Sequence, residues 1–378
     1  MMKLPLLSLY IHIPWCLSKC PYCDFYSKKI NIKNIPKKKY IQHLLLDLKK
    51  NIYLIKSRHI HSIFIGGGTP NLIHPKYILF LIQEIKKLIP FSKNIEITLE
   101  SNPKSVHEEV FFEYKEAGIN RLSLGIQSFN EKVLNTIKRK YTFKELIDTI
   151  NIIKKINFNV LNFDLIFGLP QQTFKNFMSD LKYIKNFKPE HISLYQLSIE
   201  PNTIFYKQTP VLPKETEILK MHFKSVKILK KYHYLKYEIS SYSKPNYQCK
   251  HNLNYWKFGD YLGIGCGAHS KITLKKKKII RIIKNKNVYE FMNGNYIEKK
   301  YILKKKNIPL EFFMNNFRLY QPCLRKNFKK YTGLSENFIN KPINQAIKKK
   351  YITQNKKFWI TTHKGKLFLN NLLELFIL

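Results

Sequence analysis

The stretch Trp15-Cys16-Leu17-Ser18-Lys19-Cys20-Pro21-Tyr22-Cys23-Asp24-Phe25 places three of the chain's six cysteines within eight residues, in the spacing C-x3-C-x2-C. Three thiolates on one short loop can bind one face of a metal cluster. A cubane iron–sulfur cluster normally has four cysteine ligands, so three would leave one iron open to a further ligand. Structural zinc also accepts cysteines, but it needs a fourth ligand, and the sequence has no second C-x2-C pair. Zinc, and three reduced cysteines without a metal, remain the alternatives at this point.

The composition is that of a globular protein that is not secreted. The 378 residues are 44% hydrophobic and 14% aromatic, enough for one large core and a smaller domain. No apolar run reaches the length of about 18 residues that predicts a transmembrane helix. The apolar segment Met1–Ile13 is too short for a signal peptide. Because three of the six cysteines are clustered, we expect metal binding in a reducing compartment rather than disulfides, and a cytoplasmic location, with peripheral membrane contact left open.

The formal net charge of +42 has two interpretations. A polyanion such as nucleic acid or anionic lipid is the functional one. The other is codon bias, since lysine, isoleucine and asparagine are over-used together in every segment. The runs Lys37–Lys39, Lys275–Lys278 and Lys348–Lys350 fall at predicted helix starts and loops rather than along one stripe. We therefore expect no specific nucleic-acid partner, and keep a basic nucleic-acid-binding protein with a structural cluster as the weakest alternative.

Strand and helix patterns alternate six times along the first half of the chain. This alternation predicts a parallel sheet with right-handed crossovers, either open and doubly wound or closed into a partial barrel. The predicted strands are Leu6–Ile13, Ser62–Ile65, Ile95–Glu100, Asn120–Gly125, Asn159–Ile166 and His191–Leu197.

The unusual residues of this region all fall at the carboxyl ends of predicted strands. The cysteine loop follows the first strand, and Gly66-Gly67-Gly68-Thr69-Pro70 follows the second. Parallel barrels bring such strand ends together at one rim. The later strand ends carry Glu100, Gln127, Asp164 and Ser198, and Arg139 could bind a carboxylate. Together these residue types suit a ligand with an amino-acid end and a ribose, next to the open iron.

The cysteine spacing and the Gly-Gly-Gly-Thr-Pro turn resemble the radical S-adenosylmethionine (SAM) superfamily. Three further stretches resemble its oxygen-independent coproporphyrinogen III oxidase branch, over about Leu6 to Ser270. They are Tyr10-Ile11-His12-Ile13-Pro14-Trp15-Cys16, Gly125-Ile126-Gln127-Ser128-Phe129 and Asp164-Leu165-Ile166-Phe167-Gly168-Leu169-Pro170. The resemblance implies an α/β fold, a partial (β/α)6 TIM-like barrel with a mainly α C-terminal domain.

By the same resemblance, Cys16, Cys20 and Cys23 hold a [4Fe–4S] cluster whose fourth iron is chelated by the amino and carboxylate groups of SAM. An electron donor for the cluster is implied, and reductive cleavage of SAM to a 5′-deoxyadenosyl radical is the chemistry of the superfamily. The positions that match SAM contacts of the family are Tyr10, Tyr22, Gly67, Gly68, Thr69, Glu100, Gln127, Arg139, Asp164 and Ser198.

Two features separate the members of this branch, which contains a coproporphyrinogen III decarboxylase and heme chaperones of the HemW type. The decarboxylases have Gly-Cys after the third cysteine, whereas this chain has Asp24-Phe25. The stretch His251-Asn252-Leu253-Asn254-Tyr255-Trp256 resembles a pattern associated with heme binding in the HemW type. A histidine can ligate heme iron, and aromatic rings offer a flat apolar surface. The alternative is that His251 is a hydrogen-bonded structural residue and that Tyr255 and Trp256 belong to the core.

We therefore expect a heme chaperone that passes heme to acceptor hemoproteins, respiratory membrane enzymes being candidates. Coproporphyrinogen oxidation is the alternative function and is not expected, and the oligomeric state, including a dimer, is left open. Three segments are predicted: a barrel core over residues 1–236, an extension with the histidine motif over 237–286, and a C-terminal helical domain over 287–378. In the last segment, helices followed by a small hairpin could form a winged-helix-like module.

Overall fold

The computed structural model describes residues 4–55, 57–105, 107–274 and 278–377. Lys275–Lys277 of one predicted lysine run lie outside these ranges, as do the residues at the two ends of the chain. In chain order the strands are β1 (Leu7–Ile13), β2 (Trp15–Cys16), β3 (Lys28–Lys29), β4 (Ile60–Gly67), β5 (Phe91–Ser101), β6 (Arg121–Gln127), β7 (Val160–Phe167), β8 (His191–Gln196), β9 (Leu235–Glu238), β10 (Ser241–Ser243), β11 (Asp260–Ile264), β12 (His269–Thr273), β13 (Ile279–Lys284), β14 (Ile297–Ile302), β15 (Cys323–Leu324), β16 (Ile352–Gln354) and β17 (Phe358–Thr361).

The helices alternate with the strands in the first half of the chain and dominate its C-terminal part. They are α1 (Lys37–Asn51), α2 (Pro75–Leu88), α3 (Glu108–Glu116), α4 (Glu131–Thr136), α5 (Phe143–Ile156), α6 (Phe174–Phe187), α7 (Ile204–Lys207), α8 (Glu215–Lys231), α9 (Lys250–Trp256), α10 (Val288–Met292), α11 (Ile308–Asn316), α12 (Arg325–Thr332), α13 (Asn340–Lys348), α14 (His363–Leu367) and α15 (Leu369–Glu374). None of the helices in the described ranges is long and apolar enough to span a membrane.

The parallel sheet predicted from the alternating pattern is confirmed. Strands β1, β4, β5, β6, β7 and β8 lie side by side and parallel, in chain order, as the inner wall of a partial barrel. Each is close to a predicted strand, with one correction at the glycines. Gly66 and Gly67 were expected to follow the second strand, but they are the last two residues of β4. Local causes set several helix ends, such as the capping box that Thr142 and Glu145 form at the start of α5.

The sheet continues beyond β1 with four strands that were not predicted from the sequence. Strand β11 pairs parallel to β1, and β12, β13 and β14 follow as an antiparallel meander. In the described ranges the whole sheet has twelve strands, in the order β14-β13-β12-β11-β1-β4-β5-β6-β7-β8-β10-β9. These strands lack the repeated strand–helix spacing that revealed the other six, because in the described ranges the only helix between them is α10, a helix of five residues between β13 and β14.

A buried ion pair ties this extension to the first helix of the barrel. Lys284 of β13 and Asp47 of α1 are both fully buried, and Nζ lies 2.5 Å from Oδ1. The second carboxylate oxygen of Asp47 accepts a hydrogen bond from the backbone N–H of Gly265, just after β11. One carboxylate on α1 therefore fixes two separate points of the extension.

The C-terminal part packs around a second core. Its centre contains Phe313, Phe328, Trp359 and Phe376, and a three-stranded sheet of β15, β17 and β16 flanks it. Phe258 also packs there, so side chains from both sides of the predicted boundary at residue 287 share this core. The three predicted segments therefore stay a proposal about domain limits.

Replacing Lys284 with methionine should lower the free energy of unfolding by about 3–5 kcal/mol, because the Asp47 carboxylate would remain buried without its cation. Chemical denaturation of the two proteins measures this difference. Lys87→Met is the matched control, since Lys87 pairs with Glu84 at 2.6 Å but is 72% exposed, and an exposed pair is worth about 0–1 kcal/mol. Equally small effects in both variants would contradict a stabilising role for the buried pair.

Candidate functional site

A cavity of about 350 Å³ opens at the carboxyl ends of the parallel strands, between those ends and the cysteine loop. Its volume is in the range of small-molecule sites. It brings together nearly all of the residues proposed from the sequence for the cluster and for SAM. These lining residues are Cys16, Cys20, Tyr22, Cys23, Gly67, Gly68, Thr69, Glu100, Gln127, Arg139, Asp164 and Ser198.

Backbone hydrogen bonds hold the cysteine loop in place at its start and in its middle. At its start, β2 pairs in parallel with β3, and Ile30 N–H donates to Cys16 O at 3.0 Å. In its middle, Phe205 N–H of α7 donates to Pro21 O at 3.0 Å. Trp15 is buried and lies edge-on to Tyr40 of α1, with ring centroids 4.6 Å apart. Contacts with residues distant in the chain thus position the loop at the edge of the cavity.

The three thiols of the loop are partly exposed and influence one another electrostatically. Burial, reinforced by the nearby Cys20 and Cys16 sulfurs, raises the pKa of the Cys23 thiol to about 11. In the part of the chain that the structure describes, no three His, Cys, Asp or Glu side chains are arranged to hold a single metal ion. The three cysteines instead surround one cavity, and their role as cluster ligands stays a prediction.

Two glycines allow the second strand end to touch the cysteine loop. A Cβ atom on Gly68 would lie 2.3 Å from the backbone oxygen of Trp15, so any side chain there would displace the loop. Gly67 has φ +113°, a conformation that favours glycine, and a Cβ there would meet the His12 ring at 2.6 Å. The triple glycine therefore has a steric cause in this fold, beyond a simple tight turn.

Two carboxylates face the cavity from β5 and β7, the strands on either side of β6. Glu100 accepts a hydrogen bond from Gly67 N–H at 3.1 Å. Asp164 accepts one from the Ser123 hydroxyl at 2.9 Å and one from the Asn162 amide at 2.9 Å. Burial, and next the charge of Asp164, raises the pKa of Glu100 to about 8. Burial also raises the pKa of Asp164. Both groups favour a cationic ligand, because a positive charge would offset the cost of burying them ionised.

Arg139 and Tyr22 also line the cavity. The two side chains are hydrogen bonded, and burial raises the pKa of Tyr22 to about 12. The Nε atom of Arg139 is buried and has no hydrogen-bond partner within the described residues. An unpaired buried N–H of a guanidinium is costly, so the side chain is suited to bind an anionic group such as a carboxylate.

Tyr10, which the family resemblance proposed as a SAM contact, lies deeper in the barrel than the cavity. Its hydroxyl is 3.0 Å from His12 Nδ1, and its ring packs against Phe64 at a centroid distance of 6.3 Å. His12 Nε2 in turn lies 2.9 Å from the backbone oxygen of Tyr26. Tyr10 therefore supports the glycine strand end through His12, and its proposed contact with SAM stays a prediction.

The histidine motif lies on α9, which packs against strands β1, β4 and β11 of the large sheet. His251 is 9% exposed, its Nδ1 is 3.2 Å from the Ser62 hydroxyl, and its ring packs on Phe64 at 5.1 Å. Burial, and next the charge of Arg121, lowers the pKa of His251 to about 3. The imidazole is therefore neutral at physiological pH. The buried, hydrogen-bonded environment agrees with a structural role for His251. A neutral imidazole is also the form that ligates iron, so the observation agrees with both interpretations.

The two aromatic residues of the motif are half-buried. Tyr255 packs edge-on to Trp256 at 4.6 Å and against Tyr261 at 5.1 Å. The Arg318 guanidinium lies 4.3 Å from the centroid of the Trp256 ring, and the buried Nε1 of Trp256 has no hydrogen-bond partner among the described residues. The motif residues do not line the cavity described above, so any heme site there is separate from it.

Sequence reasoning missed several further residues that line the cavity, among them Ser123 and Tyr195. Ser123 of β6 donates to Asp164, and Tyr195 of β8 lies next to Gln196 at the rim. Alternation along β6 could have found Ser123. Ser123 and Gln127 are an even number of residues apart, and so share a face of β6. Tyr195 precedes Ser198 in the same strand end, but a lone tyrosine at that position carries no specific signal.

Comparison with known sequences identifies related proteins along the whole chain. The model of the radical SAM superfamily matches residues 10–184. The chain is 52% identical over 377 residues to the heme chaperone HemW of Buchnera aphidicola subsp. Schizaphis graminum, with 100% of both chains covered. It is 43% identical over 377 residues to the heme chaperone HemW of Escherichia coli, again with 100% of both covered.

Comparison with solved structures gives a match in fold. The structure of coproporphyrinogen III oxidase (HemN) from Escherichia coli, a radical SAM enzyme, superposes with a TM-score of 0.84. The match covers 99% of this chain and 90% of that one, at 21% sequence identity. At this identity the likeness concerns the fold alone.

The raised pKa of Glu100 predicts that the cluster-free protein loses stability as the pH rises from about 4.5 to about 8. Over this range the unfolded chain has released the proton that the folded state still binds, so each step in pH favours unfolding, by at most about 1.4 kcal/mol per unit. Below the range both states are protonated, and above it both are ionised. Denaturation curves of wild type and Glu100→Gln across this range should therefore diverge, the variant being the less pH-sensitive.

Glu145→Gln is the control of opposite sign. Hydrogen bonds from the Thr142 backbone and hydroxyl lower the pKa of Glu145. Its stabilising effect is therefore present at neutral pH and lost only at acidic pH. Parallel curves for wild type and Glu100→Gln between pH values of about 4.5 and 8 would show that Glu100 is ionised in the folded protein.

Proposed function

Because the chain belongs to the HemW family of the radical SAM superfamily, we propose that it is a heme chaperone, which binds a [4Fe–4S] cluster and SAM and transfers heme to acceptor hemoproteins. The observation that carries this proposal is the identity of 52% to a HemW heme chaperone over the full length of both chains. The Asp24-Phe25 pair after the third cysteine supports the same assignment.

The residues around the cavity fit the proposed cluster. Cys16, Cys20 and Cys23 present three accessible sulfurs to one space, and cluster binding would take them up as thiolates. No fourth cysteine lines the cavity among the described residues, which leaves room for a ligand of another kind. When bound, the cluster supplies one-electron chemistry toward SAM.

The remaining cavity residues fit SAM by charge and by shape. Arg139, with its unpaired Nε, would bind the carboxylate of the ligand. Glu100 and Asp164 would attract its positive charges, which in turn would lower the pKa of Glu100 toward the ordinary range. Gly67 and Gly68 line the cavity with backbone, and the absence of a Cβ lets them lie directly against His12 and Trp15.

Heme would bind at α9, away from the cofactor cavity. Tyr255 and Trp256 offer half-buried aromatic surface there, next to the Arg318 guanidinium, which is suited to a propionate. His251 is the candidate iron ligand. It would use Nε2, because Nδ1 is engaged with the Ser62 hydroxyl. Acceptor hemoproteins, respiratory membrane enzymes among them, and an electron donor for the cluster complete the set of proposed partners, and we place the activity in the cytoplasm.

Single replacement of Cys16, Cys20 or Cys23 by alanine should abolish formation of the [4Fe–4S] cluster during anaerobic reconstitution, since each removes one of three ligands. Iron and sulfide analysis and the absorption spectrum of the cluster measure this. Cys323→Ala is the matched control, because Cys323 is buried in the C-terminal core and should leave the iron content unchanged. Full iron content in any of the three loop variants would contradict the proposed ligand set.

Reconstituted wild-type protein should bind heme in an absorbance titration, and His251→Gln should weaken this binding about tenfold or more and shift the Soret band, since an imidazole ligand is lost. His222→Gln is the control, because His222 is another histidine packed against an aromatic ring, that of Phe167 at 6.2 Å. An unchanged spectrum and affinity in His251→Gln would assign His251 a purely structural role.

The same wild-type sample distinguishes the chaperone from an enzyme. Conversion of coproporphyrinogen III to protoporphyrinogen IX without heme binding would overturn the proposed function in favour of oxidative decarboxylation. Measurement of SAM cleavage in that sample reports whether the cofactor turns over while the protein carries heme.

A further inference from the structure

A buried carboxylate lies behind the cofactor cavity, outside the set of residues discussed so far. Asp180 of α6 is 2% exposed. Its Oδ2 accepts a hydrogen bond from the Ser128 hydroxyl at 2.9 Å, and its Oδ1 accepts one from Phe129 N–H at 2.8 Å. A third donor, the side-chain amide of Gln172, lies 3.4 Å from Oδ2. Burying a carboxylate is costly, and three donors from two different loops offset that cost.

The two loops that Asp180 joins are those that follow β6 and β7. Ser128 and Phe129 come directly after β6, which ends at Gln127. Gln172 belongs to the turn after β7, where its Oε1 accepts from Leu169 N–H at 3.2 Å. Its amide also lies 3.4 Å from the backbone oxygen of Ile166, a residue that lines the cavity. Asp180 therefore connects the two strand ends that bear Gln127 and Asp164.

Gln127 has a strained backbone. Its φ is +68°, in the left-handed region that residues other than glycine seldom adopt, at a cost of about 1–3 kcal/mol. Such a conformation persists only when neighbouring contacts enforce it. The next two residues along the chain, Ser128 and Phe129, are the ones held by Asp180. The strained turn directs the Gln127 side chain over Gly125, where a Cβ would lie 3.1 Å from its Nε2.

We infer that Asp180 is a positioning residue for the cofactor site: by holding Ser128 and Phe129 it enforces the left-handed turn that presents Gln127 to the cavity. The inference rests on the proposed function, because it takes SAM as the ligand of that cavity. The carboxylate offers a separate oxygen to each of the two donors of the turn, Oδ2 to the Ser128 hydroxyl and Oδ1 to Phe129 N–H. Burial raises the pKa of Asp180 to about 7, and the three hydrogen bonds oppose that rise.

The test compares SAM affinity in anaerobically reconstituted holoprotein for wild type, Asp180→Asn and Ser128→Ala. Asparagine keeps one acceptor oxygen and nearly the same volume, while Ser128→Ala removes one donor and leaves the carboxylate in place. We expect the SAM dissociation constant to rise about tenfold for Asp180→Asn, because the charge-assisted hydrogen bonds to the turn are lost. For Ser128→Ala we expect a rise of about threefold, because only one of these hydrogen bonds is lost. Equilibrium dialysis and the SAM-induced change in the EPR spectrum of the reduced cluster are the two readouts.

A double-mutant cycle separates positioning from general destabilisation. Gln127→Asn withdraws the amide from the cavity by one carbon and still tolerates the left-handed turn. If Asp180 acts through Gln127, Asp180→Asn should change the SAM affinity less than about twofold in this background. Tyr234→Phe is the matched control, because it removes a buried hydrogen bond, from the Tyr234 hydroxyl to Pro189 O at 2.6 Å, far from the cavity. It should alter stability but not SAM affinity or the EPR change.

Each outcome decides one question. Wild-type holoprotein that binds no SAM would overturn the proposed function itself. Wild-type binding with unchanged affinity in both Asp180→Asn and Ser128→Ala would overturn the positioning role alone. A tenfold loss that persists in the Gln127→Asn background would likewise overturn it, since Asp180 would then act by another route. Should Asp180→Asn fail to fold, Ser128→Ala and its cycle with Gln127→Asn decide the matter.

Discussion

The whole site depends on one close backbone contact between the first two strand ends of the barrel. Gly68 N–H donates to Ile13 O at 2.7 Å, and Thr69 N–H donates to Trp15 O at 2.7 Å. These bonds place the glycine turn directly under the start of the cysteine loop. The approach is so close that a single Cβ on Gly68 would collide with Trp15 O. Glycine is thus required here by packing, and the contact sets where the thiols lie relative to the other strand ends.

The barrel interior beneath this contact is built from hydrogen-bonded polar groups rather than from apolar packing alone. Asn162 of β7 connects three strands: its amide donates to Ser123 of β6 and to Asp164 of β7, and its oxygen lies 2.6 Å from Nδ1 of His191 in β8. On β5, Glu96 accepts a hydrogen bond from the backbone N–H of His251 at 2.9 Å and so fixes the start of α9. Such networks specify one arrangement only when every member is satisfied. Buried groups left without a partner, such as Arg139 Nε, therefore stand out as places for a ligand.

The C-terminal part contacts the edge of the large sheet beside β9. Strand β9 is the last strand of the sheet, and Tyr320 N–H donates to Tyr237 O at 3.0 Å beside it. The unpaired backbone groups of an edge strand can pair with another chain and cause aggregation. The contact at Tyr237 satisfies one of these groups and also joins the two cores. Arg318, two residues before Tyr320, contacts both Glu238 at 3.3 Å and the ring of Trp256. The histidine motif is accordingly held between the barrel and the C-terminal part.

The sequence alone determined the features that have a local period or spacing. It showed the six strand–helix repeats, the C-x3-C-x2-C loop and the polar residues at strand ends. Each of these features depends only on residues close together in the chain. The tertiary structure decided what depends on residues far apart in the chain. It placed Tyr10 behind His12 rather than in the cavity, buried His251 against Ser62, and added the meander β12–β14. Asp180 and Ser128 are 52 residues apart, and other buried hydrogen-bonded pairs, such as Ser62 and His251, are also far apart in the chain. No local pattern records such a pairing, since it arises only when the folded sheet brings the two loops together.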